Sequence, residues 1–347
     1  MKHTYDDWMK QNGNDRSVAL YSQTTLYRNL TDTPFVFGCN EKQKEDILGQ
    51  IKEAFVHTGL ARTLFSVPLE NMTPSGRASL EERGYLQHST VEDPWGCGLF
   101  LSNDGGMALT INEEDHLRFS ATLPGRSLEE TYRQVEQLET HLSSELSYAF
   151  DPDFGYLSPQ LQRIGTGLQT SVYVHVPALC ESGNAMRVWS SLRRIGFTVG
   201  PVYSDGEHAF GDLYRITNAM TLGIREKEQM DNLNNVVQQV IRHEMALRAE
   251  WQQDGDYCDR VYRAMGTLLY ARKVSYAEAM ELLSLIRFGM EQGFWKQMTW
   301  WQWDMLVRRI QPAALALPER SAAGAYDEQR AVLIRQFLSR EDDEIGL

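Results

Sequence analysis

Apolar residues recur along this chain with two different periods. Residues 127–147 and 226–250 carry apolar side chains every three or four positions, which predicts two amphipathic helices. Residues 117–123 and 168–177 alternate apolar and polar side chains, as half-buried strands do. Two short apolar runs within 97–111 flank an Asn-Asp-Gly-Gly turn and predict a β-hairpin. This part of the chain therefore mixes helices with antiparallel strands.

The pattern changes after Gly255, where strand signals become few. Helical spacing covers residues 257–272, 275–289, 301–310 and 327–339. We therefore predict an α/β (α+β) domain over 1–252, with a curved, mainly antiparallel sheet flanked by helices, and an all-helical domain over 256–347. Helix starts with a capping box are predicted twice, at Ser127 with Glu130 and at Ser275 with Glu278.

Composition narrows the class of protein. The 347 residues are 42% hydrophobic and 23% charged, which is typical of a globular protein with a large core. The N-terminal segment lacks the apolar stretch of a signal peptide, and no run suits a membrane helix, so we expect a cytoplasmic protein without a membrane partner. A formal net charge of −13 argues against nucleic-acid binding. The four cysteines form no Cys-x-x-Cys or Cys/His cluster, so no metal site is predicted.

A dense block of ionisable residues, Asn-Glu-Glu-Asp-His-Leu-Arg, occupies 112–118 directly after the predicted hairpin. Charge alone would suit a solvated loop equally well. As a string, however, it resembles the signature of the guanido kinases. Further segments that resemble this family, in the same order, are 21–30, 165–177, 203–223 and, near the end of the chain, 326–335. Over nearly its whole length the chain resembles the bacterial protein arginine kinase branch of the ATP:guanido phosphotransferase superfamily.

The resemblance implies transfer of a phosphoryl group from ATP, with Mg²⁺, to a guanidinium nitrogen. Such enzymes position both reactants and neutralise the charge of the transferring group. The resemblance also implies that the two catalytic carboxylates, which bind the guanidinium, are those of Glu114 and Asp205. Asp205 stands where the family usually has glutamate, so its carboxylate is one methylene shorter. A misplacement of about 1 Å can lower the rate roughly a hundredfold.

The nucleotide-binding positions implied by the resemblance carry few charges. They are Ser22, Gln23, Thr25, His88, Arg118, Gln169 and Gly200. Four of them are arginine in the family and are neutral here, namely Gln23, Thr25, Gln169 and Gly200. The loss of one transition-state arginine can lower the rate about 10³–10⁵-fold. We therefore expect a pseudokinase in which ATP and Mg²⁺ bind weakly or not at all. His88 could equally be an ordinary surface or core histidine.

Two further family positions have changed. The cysteine that packs beside the guanidinium in the family is Gln160 here, and the Pro-Thr-Asn that follows it is replaced by Leu161, Gln162 and Arg163. Arg163 could restore part of the lost positive charge. Near the C-terminus, Asp327 and Arg330 match a phosphoarginine-binding motif of the branch, with Tyr326 in place of its first arginine. The alternative is an ion pair at the start of a helix, since the two residues are three positions apart.

Three functions are therefore open. The first is a catalytically impaired kinase scaffold that acts through protein contacts, which we expect to be a homodimer. Its partners, as the resemblance implies, are a Clp-type ATPase and a small zinc-binding activator protein. The second is an active protein arginine kinase. The third is a kinase for small guanidine compounds, which is disfavoured because the C-terminal helical region matches the protein-directed branch.

Overall fold

The computed structural model describes residues 5–206, 208–251, 255–294, 298–316 and 326–339. Within these ranges the strands are β1 Ala19–Arg28, β2 Leu64–Val67, β3 Gly98–Ser102, β4 Met107–Ile111, β5 Leu117–Pro124, β6 Phe150–Asp151, β7 Gly155–Tyr156, β8 Leu168–His175, β9 Phe197–Pro201 and β10 Leu213–Asn218. The helices before residue 252 are α1 Glu41–His57, α2 Pro74–Glu82, α3 His88–Glu92, α4 Leu128–Ser143, α5 Pro177–Glu181, α6 Ala185–Arg194 and α7 Glu226–Trp251. Those after it are α8 Gly255–Tyr270, α9 Tyr276–Glu291, α10 Trp300–Arg309, α11 Pro312–Ala316 and α12 Tyr326–Leu338.

Eight strands form one antiparallel sheet in the order β2-β3-β4-β5-β1-β8-β10-β9. The first strand of the chain lies in the middle, between β5 and β8. The predicted antiparallel sheet flanked by helices is therefore confirmed, with a helical region after it. No helix in the described ranges has the length and apolar character that crossing a membrane requires.

The two faces of the central strands differ because side chains alternate along a strand. On one face, Leu26 of β1, Phe119 of β5 and Leu168 of β8 are buried in the main apolar core, which α1 and α4 cover. Val172 of β8 belongs to a second core beneath α6 and α7. The opposite face of the same strands carries mainly polar side chains, and it is this face that bears the candidate site.

Local sequence signals account for several boundaries. The predicted hairpin at 97–111 is confirmed as β3 and β4, joined by a turn in which Gly105 has a φ of +75°. A Cβ at Gly105 would lie 2.0 Å from the carbonyl oxygen of Tyr5, so only glycine fits there. Of the capping box predicted at Ser275, one half is present: the Ser275 side chain accepts the backbone N–H of Glu278 and caps α9, but the return bond from the Ser275 backbone to the Glu278 side chain is not formed.

The predicted capping box at Ser127 is wrong. Its hydroxyl donates to the carbonyl oxygen of Pro124 at 2.8 Å, and α4 has no side-chain cap. The backbone N–H of Ser127 instead donates to the Ser22 hydroxyl, 3.0 Å away. A tertiary partner has thus replaced the local one that the motif predicted. The predicted boundary between the two domains is the stretch 252–256, of which residues 252–254 lie outside the described residues, and α8 begins at Gly255.

Buried ion pairs join the C-terminal helices to the start of the chain. The carboxylate of Asp304 on α10 lies 2.5 Å from a guanidinium nitrogen of Arg16 and 3.3 Å from one of Arg287 on α9. Asp6 pairs in the same way with Arg83, at 2.9 Å, and with Arg308, at 3.4 Å. Two carboxylates thus each hold two arginines from separate parts of the chain.

Candidate functional site

The polar face of the central sheet brings the four substituted arginine positions together. Gln23 and Thr25 lie two positions apart on β1, and Gln169 of β8 is paired directly with Thr25. Gly200 of β9 is paired with Arg215 of β10, two strands further along. Since directly paired residues point to the same side of a sheet, the four positions share one surface.

Neutral hydrogen bonds now connect this surface. The Gln23 side-chain oxygen accepts a bond from the Tyr173 hydroxyl at 3.1 Å. The Gln169 side-chain oxygen accepts one from the Tyr27 hydroxyl at 3.2 Å. Amides and hydroxyls that bond to each other hold the face in shape, but they provide no charge to a phosphate.

Arg118 of β5 also reaches this face, opposite Tyr27, but each of its three guanidinium nitrogens already has a partner within the chain. Its Nε lies 2.7 Å from the buried Glu113 carboxylate, and its Nη2 donates to the carbonyl oxygen of Tyr85 at 2.5 Å. A further bond runs from Nη1 to the carbonyl of Gly84, at 3.4 Å. The surviving family arginine therefore acts in this structure as a tie between β5 and the loop after α2.

Arg215 is a cation of this face that the sequence analysis did not identify. It is exposed, and it stands directly across from the glycine that replaces a family arginine. With Gln23 and Tyr173 it lines a cavity of about 230 Å³. Arg83 and Arg308 line the cavity as well, but both are paired with Asp6. The signal that could have found Arg215 is the strand pairing, which sequence alone does not give.

Ser22 does not belong to this surface, which corrects its predicted place in the nucleotide site. It follows Tyr21 and precedes Gln23, so its side chain points to the opposite face and is fully buried. Its hydroxyl donates to the carbonyl oxygen of Gly125 at 2.8 Å. His88 lies at the start of α3, exposed, between the carboxylates of Glu81 and Glu92.

Most side chains of the Asn-Glu-Glu-Asp-His-Leu-Arg segment form hydrogen bonds that stabilise the loop in which they lie. The buried Asn112, with a φ of +57°, donates to the carbonyl oxygens of Lys44 and Gly96, each at 2.8 Å. His116 is fully buried; its Nδ1 accepts from the backbone N–H of Leu30, so its Nε2 carries the proton that bonds to Pro34. Burial lowers the pKa of His116, in keeping with a neutral ring.

Glu114 is the residue of this loop that the fold leaves partly exposed. Its carboxylate does not face an empty pocket, because Arg163 Nη2 lies 2.6 Å away. Arg163 Nη1 reaches the buried Asp115 carboxylate at 2.5 Å, and the guanidinium lies 3.9 Å from the centre of the Tyr27 ring. The sequence predicted roles for Glu114 and Arg163 separately, but it did not predict their contact.

The turn before β8 positions Arg163 next to Glu114 and Asp115. Leu161–Arg163 form one turn of 3₁₀ helix that begins after Gln160, and the Gly-Thr-Gly turn follows. Gly167 has a φ of +64°, and a Cβ there would lie 2.6 Å from the carbonyl oxygen of Tyr27. The glycine thus allows this segment to pack closely against the end of β1. Gln160 itself is half-buried, and its backbone N–H donates to the Ser158 hydroxyl.

Asp205 lies in the exposed loop after β9. One carboxylate oxygen accepts the backbone N–H of His208 at 2.7 Å, and the His208 ring lies 3.5 Å from the other. The side chain therefore shapes its own turn. In the described ranges, histidine, cysteine and acidic side chains form no cluster of three or more that could hold a metal ion.

Asp327 and Arg330 form the helix-terminal ion pair that was the alternative prediction. Arg330 is 3% exposed, and its Nη1 lies 2.6 Å from the Asp327 carboxylate. Its other bonds go to the carbonyl oxygens of Val274, at 2.9 Å, and Ile310, at 3.2 Å. With these partners the guanidinium joins α12 to the ends of α9 and α10, and in this arrangement it does not present an open phosphate site.

The chain matches known protein families over most of its length. The family description "ATP:guanido phosphotransferase, C-terminal catalytic domain" matches residues 46–247, and "Protein-arginine kinase McsB C-terminal domain" matches residues 255–345. The chain therefore belongs to the ATP:guanido phosphotransferase family.

Its similar curated relatives are protein-arginine kinases. That of Syntrophomonas wolfei subsp. wolfei is 32% identical over 98% of this chain and 97% of its own length. That of Halalkalibacterium halodurans is 31% identical over 97% of this chain and 96% of its own. Among solved structures, a lombricine kinase covers 69% of each chain with a TM-score of 0.58 at 22% identity. This last likeness concerns the fold.

Proposed function

We propose that this member of the protein-arginine kinase family is catalytically impaired and acts mainly through protein contacts. The observation that carries the proposal is the chemistry of the polar sheet face. Four positions that hold arginine in the family carry Gln23, Thr25, Gln169 and Gly200, and Arg118 is engaged with Glu113. Three or four negative charges of a nucleotide would enter a surface with few available cations. These residues do not fit a complex of ATP with Mg²⁺.

We expect ATP with Mg²⁺ to bind this chain with a dissociation constant well above the micromolar range. Titration calorimetry measures the affinity, and a parallel assay for phosphoarginine in a protein substrate measures transfer. The relative from Syntrophomonas wolfei serves as the control in both assays. Micromolar binding together with phosphoarginine formation would contradict the proposal.

An active protein-arginine kinase is the second candidate function. Two observations favour it: the relatives of that name match almost the full chain, and Arg215 stands across from Gly200 on the neighbouring strand. A cation on β10 could take over part of the role of the one missing from β9. The phosphoarginine assay distinguishes the two candidates directly.

The protein contacts are best supported by an open apolar groove between the β6–β7 hairpin and the segment that precedes α7. Phe150 and Phe154 line it together with Tyr156 and Gly165, and both phenylalanine side chains are more than half exposed. Large exposed apolar side chains grouped in one place are typical of interaction sites. The partners to test are those that the family resemblance implies, a Clp-type ATPase and a small zinc-binding activator protein.

We expect the double substitution Phe150→Ser and Phe154→Ser to weaken binding to the purified Clp-type ATPase at least tenfold. A tenfold change in affinity corresponds to about 1.4 kcal/mol. An aromatic hot-spot residue at an interface contributes about 2 kcal/mol or more, so the loss of two should weaken binding by more than tenfold. Biolayer interferometry with the immobilised ATPase measures the effect. The matched control is Ile195→Ser, an exposed apolar residue outside the groove. Equal affinity of the double variant and the wild type would place the contact elsewhere.

A further inference from the structure

The guanidinium of Arg163 lies in a pocket that has the three elements of guanidinium recognition. Glu114 and Asp115 each provide a carboxylate oxygen to a different terminal nitrogen, at 2.6 and 2.5 Å. The Tyr27 ring supplies an aromatic face 3.9 Å from the guanidinium carbon. Two carboxylates and a stacked ring match the planar, delocalised cation of arginine better than the compact ammonium of lysine.

The side chains that line this pocket are fixed in position by hydrogen bonds to residues other than Arg163. The second oxygen of Asp115 accepts hydrogen bonds from the Asn29 amide and the Ser158 hydroxyl, both at 2.7 Å. Tyr27 is fixed by its bond to Gln169, and Gln87 lies 3.3 Å from the Glu114 carboxylate. The pocket therefore does not depend on its occupant for its shape.

The occupant itself comes from a surface segment. Arg163 ends one turn of 3₁₀ helix in which Leu161 is 79% exposed. Glu114 has 40% of its side chain exposed, so one wall of the pocket faces solvent. A guanidinium from outside can thus approach the same carboxylate that Arg163 now contacts.

We propose that the chain's own Arg163 occupies the guanidinium position that the family resemblance places at Glu114, so that an arginine side chain of a partner protein binds there only by displacing Arg163. The inference concerns the guanidinium alone and stands whether or not ATP binds. A site that is free only for a fraction of the time has its apparent affinity lowered by that fraction. Arg163 therefore lowers the apparent affinity of the pocket for an arginine side chain from outside.

The test removes the occupant and offers a substitute in the absence of nucleotide. We expect Arg163→Ala to bind N-acetyl-arginine methylamide at least tenfold more tightly than the wild type does, as measured by calorimetry. The citrulline and lysine counterparts of this probe should show no such gain, because neither presents a guanidinium cation. Adding Glu114→Gln to Arg163→Ala should abolish the gain.

Stability provides an independent readout. Methylguanidine should raise the melting temperature of Arg163→Ala but not that of the wild type, because in the variant this cation can bind in the empty pocket between the two carboxylates. The matched control is Arg133→Ala, which removes an arginine from an exposed ion pair with Glu130 and should gain neither response.

Arg163→Lys covers the case in which the alanine variant fails to fold. It keeps the positive charge but loses the second hydrogen bond and the stacked plane, so we expect the arginine probe to bind it more tightly than the wild type. If neither folded variant binds the probe more tightly than the wild type, the pocket does not exchange its occupant and the proposal is wrong. Because no nucleotide is present, such a failure is distinct from a failure of the proposed catalytic impairment.

Discussion

Restoring arginine at Gln23, Thr25, Gln169 and Gly200 together should raise the affinity for ATP by about 10²-fold or more. Each new arginine can form charge-assisted hydrogen bonds with phosphate, worth roughly 1.5–3 kcal/mol when well placed. The structure provides room at two of these positions. A Cβ at Gly200 would have no neighbour within 4 Å, and Gln23 borders the cavity of about 230 Å³.

Single reversions should change the affinity little, because the four side chains would act on one ligand as a unit. Calorimetric titration of ATP with Mg²⁺ into the parent, the single variants and the fourfold variant measures this. A fourfold lysine variant is the matched control, since it adds the same charge without the planar, bidentate geometry of arginine. No gain in the fourfold arginine variant would mean that the shape of the loops, rather than the charge, had diverged.

Asp304→Asn should lower the free energy of unfolding by about 3–5 kcal/mol, the range found when one partner of a buried ion pair is removed. Asp304 holds both Arg16 and Arg287, and Arg287 is fully buried. Burial, as the largest influence, lowers the pKa of Arg287 to about 10, although Asp304 acts to raise it. The substitution keeps the side-chain shape but leaves two neighbouring guanidinium groups without their carboxylate.

Urea unfolding followed by circular dichroism measures this loss. The matched control is Asp259→Asn on α8, whose contact with Arg263 spans 4.0 Å at the surface. Exposed i,i+4 pairs on a helix contribute about 0.3–0.5 kcal/mol, so the control should change the free energy of unfolding by no more than about 0.5 kcal/mol. If Asp304→Asn were as stable as the control, the links between the C-terminal helices and the start of the chain would not depend on this carboxylate.

The elements that the sequence predicted well are those with a strong period. The hairpin at 97–111 and the long helices follow from alternation and from 3.6-residue spacing, which the fold preserves. The same alternation, applied to β1, would have separated Ser22 from Gln23 and Thr25, since neighbours on a strand face opposite sides. That signal was present in the sequence and was overridden by the family motif.

Other features depend on contacts between distant segments and leave no local signal. Arg118 is engaged by carbonyl oxygens from residues 84 and 85, more than thirty positions earlier. The meeting of Arg163 with Glu114 requires the turn before β8 to cross the end of β1. The cap at Ser127 failed for the same reason, because Ser22 offered its backbone N–H a tertiary partner.

The central position of β1 has a consequence for synthesis on the ribosome. β1 ends at Arg28, yet its second neighbour, β8, is complete only at His175. At about 5–20 residues per second, this separation of roughly 150 residues corresponds to about 8–30 seconds of translation. During that time the strand has at least one edge without its native partner, and such an edge can pair with other chains. We therefore expect the nascent chain to need protection by chaperones until β8 has emerged.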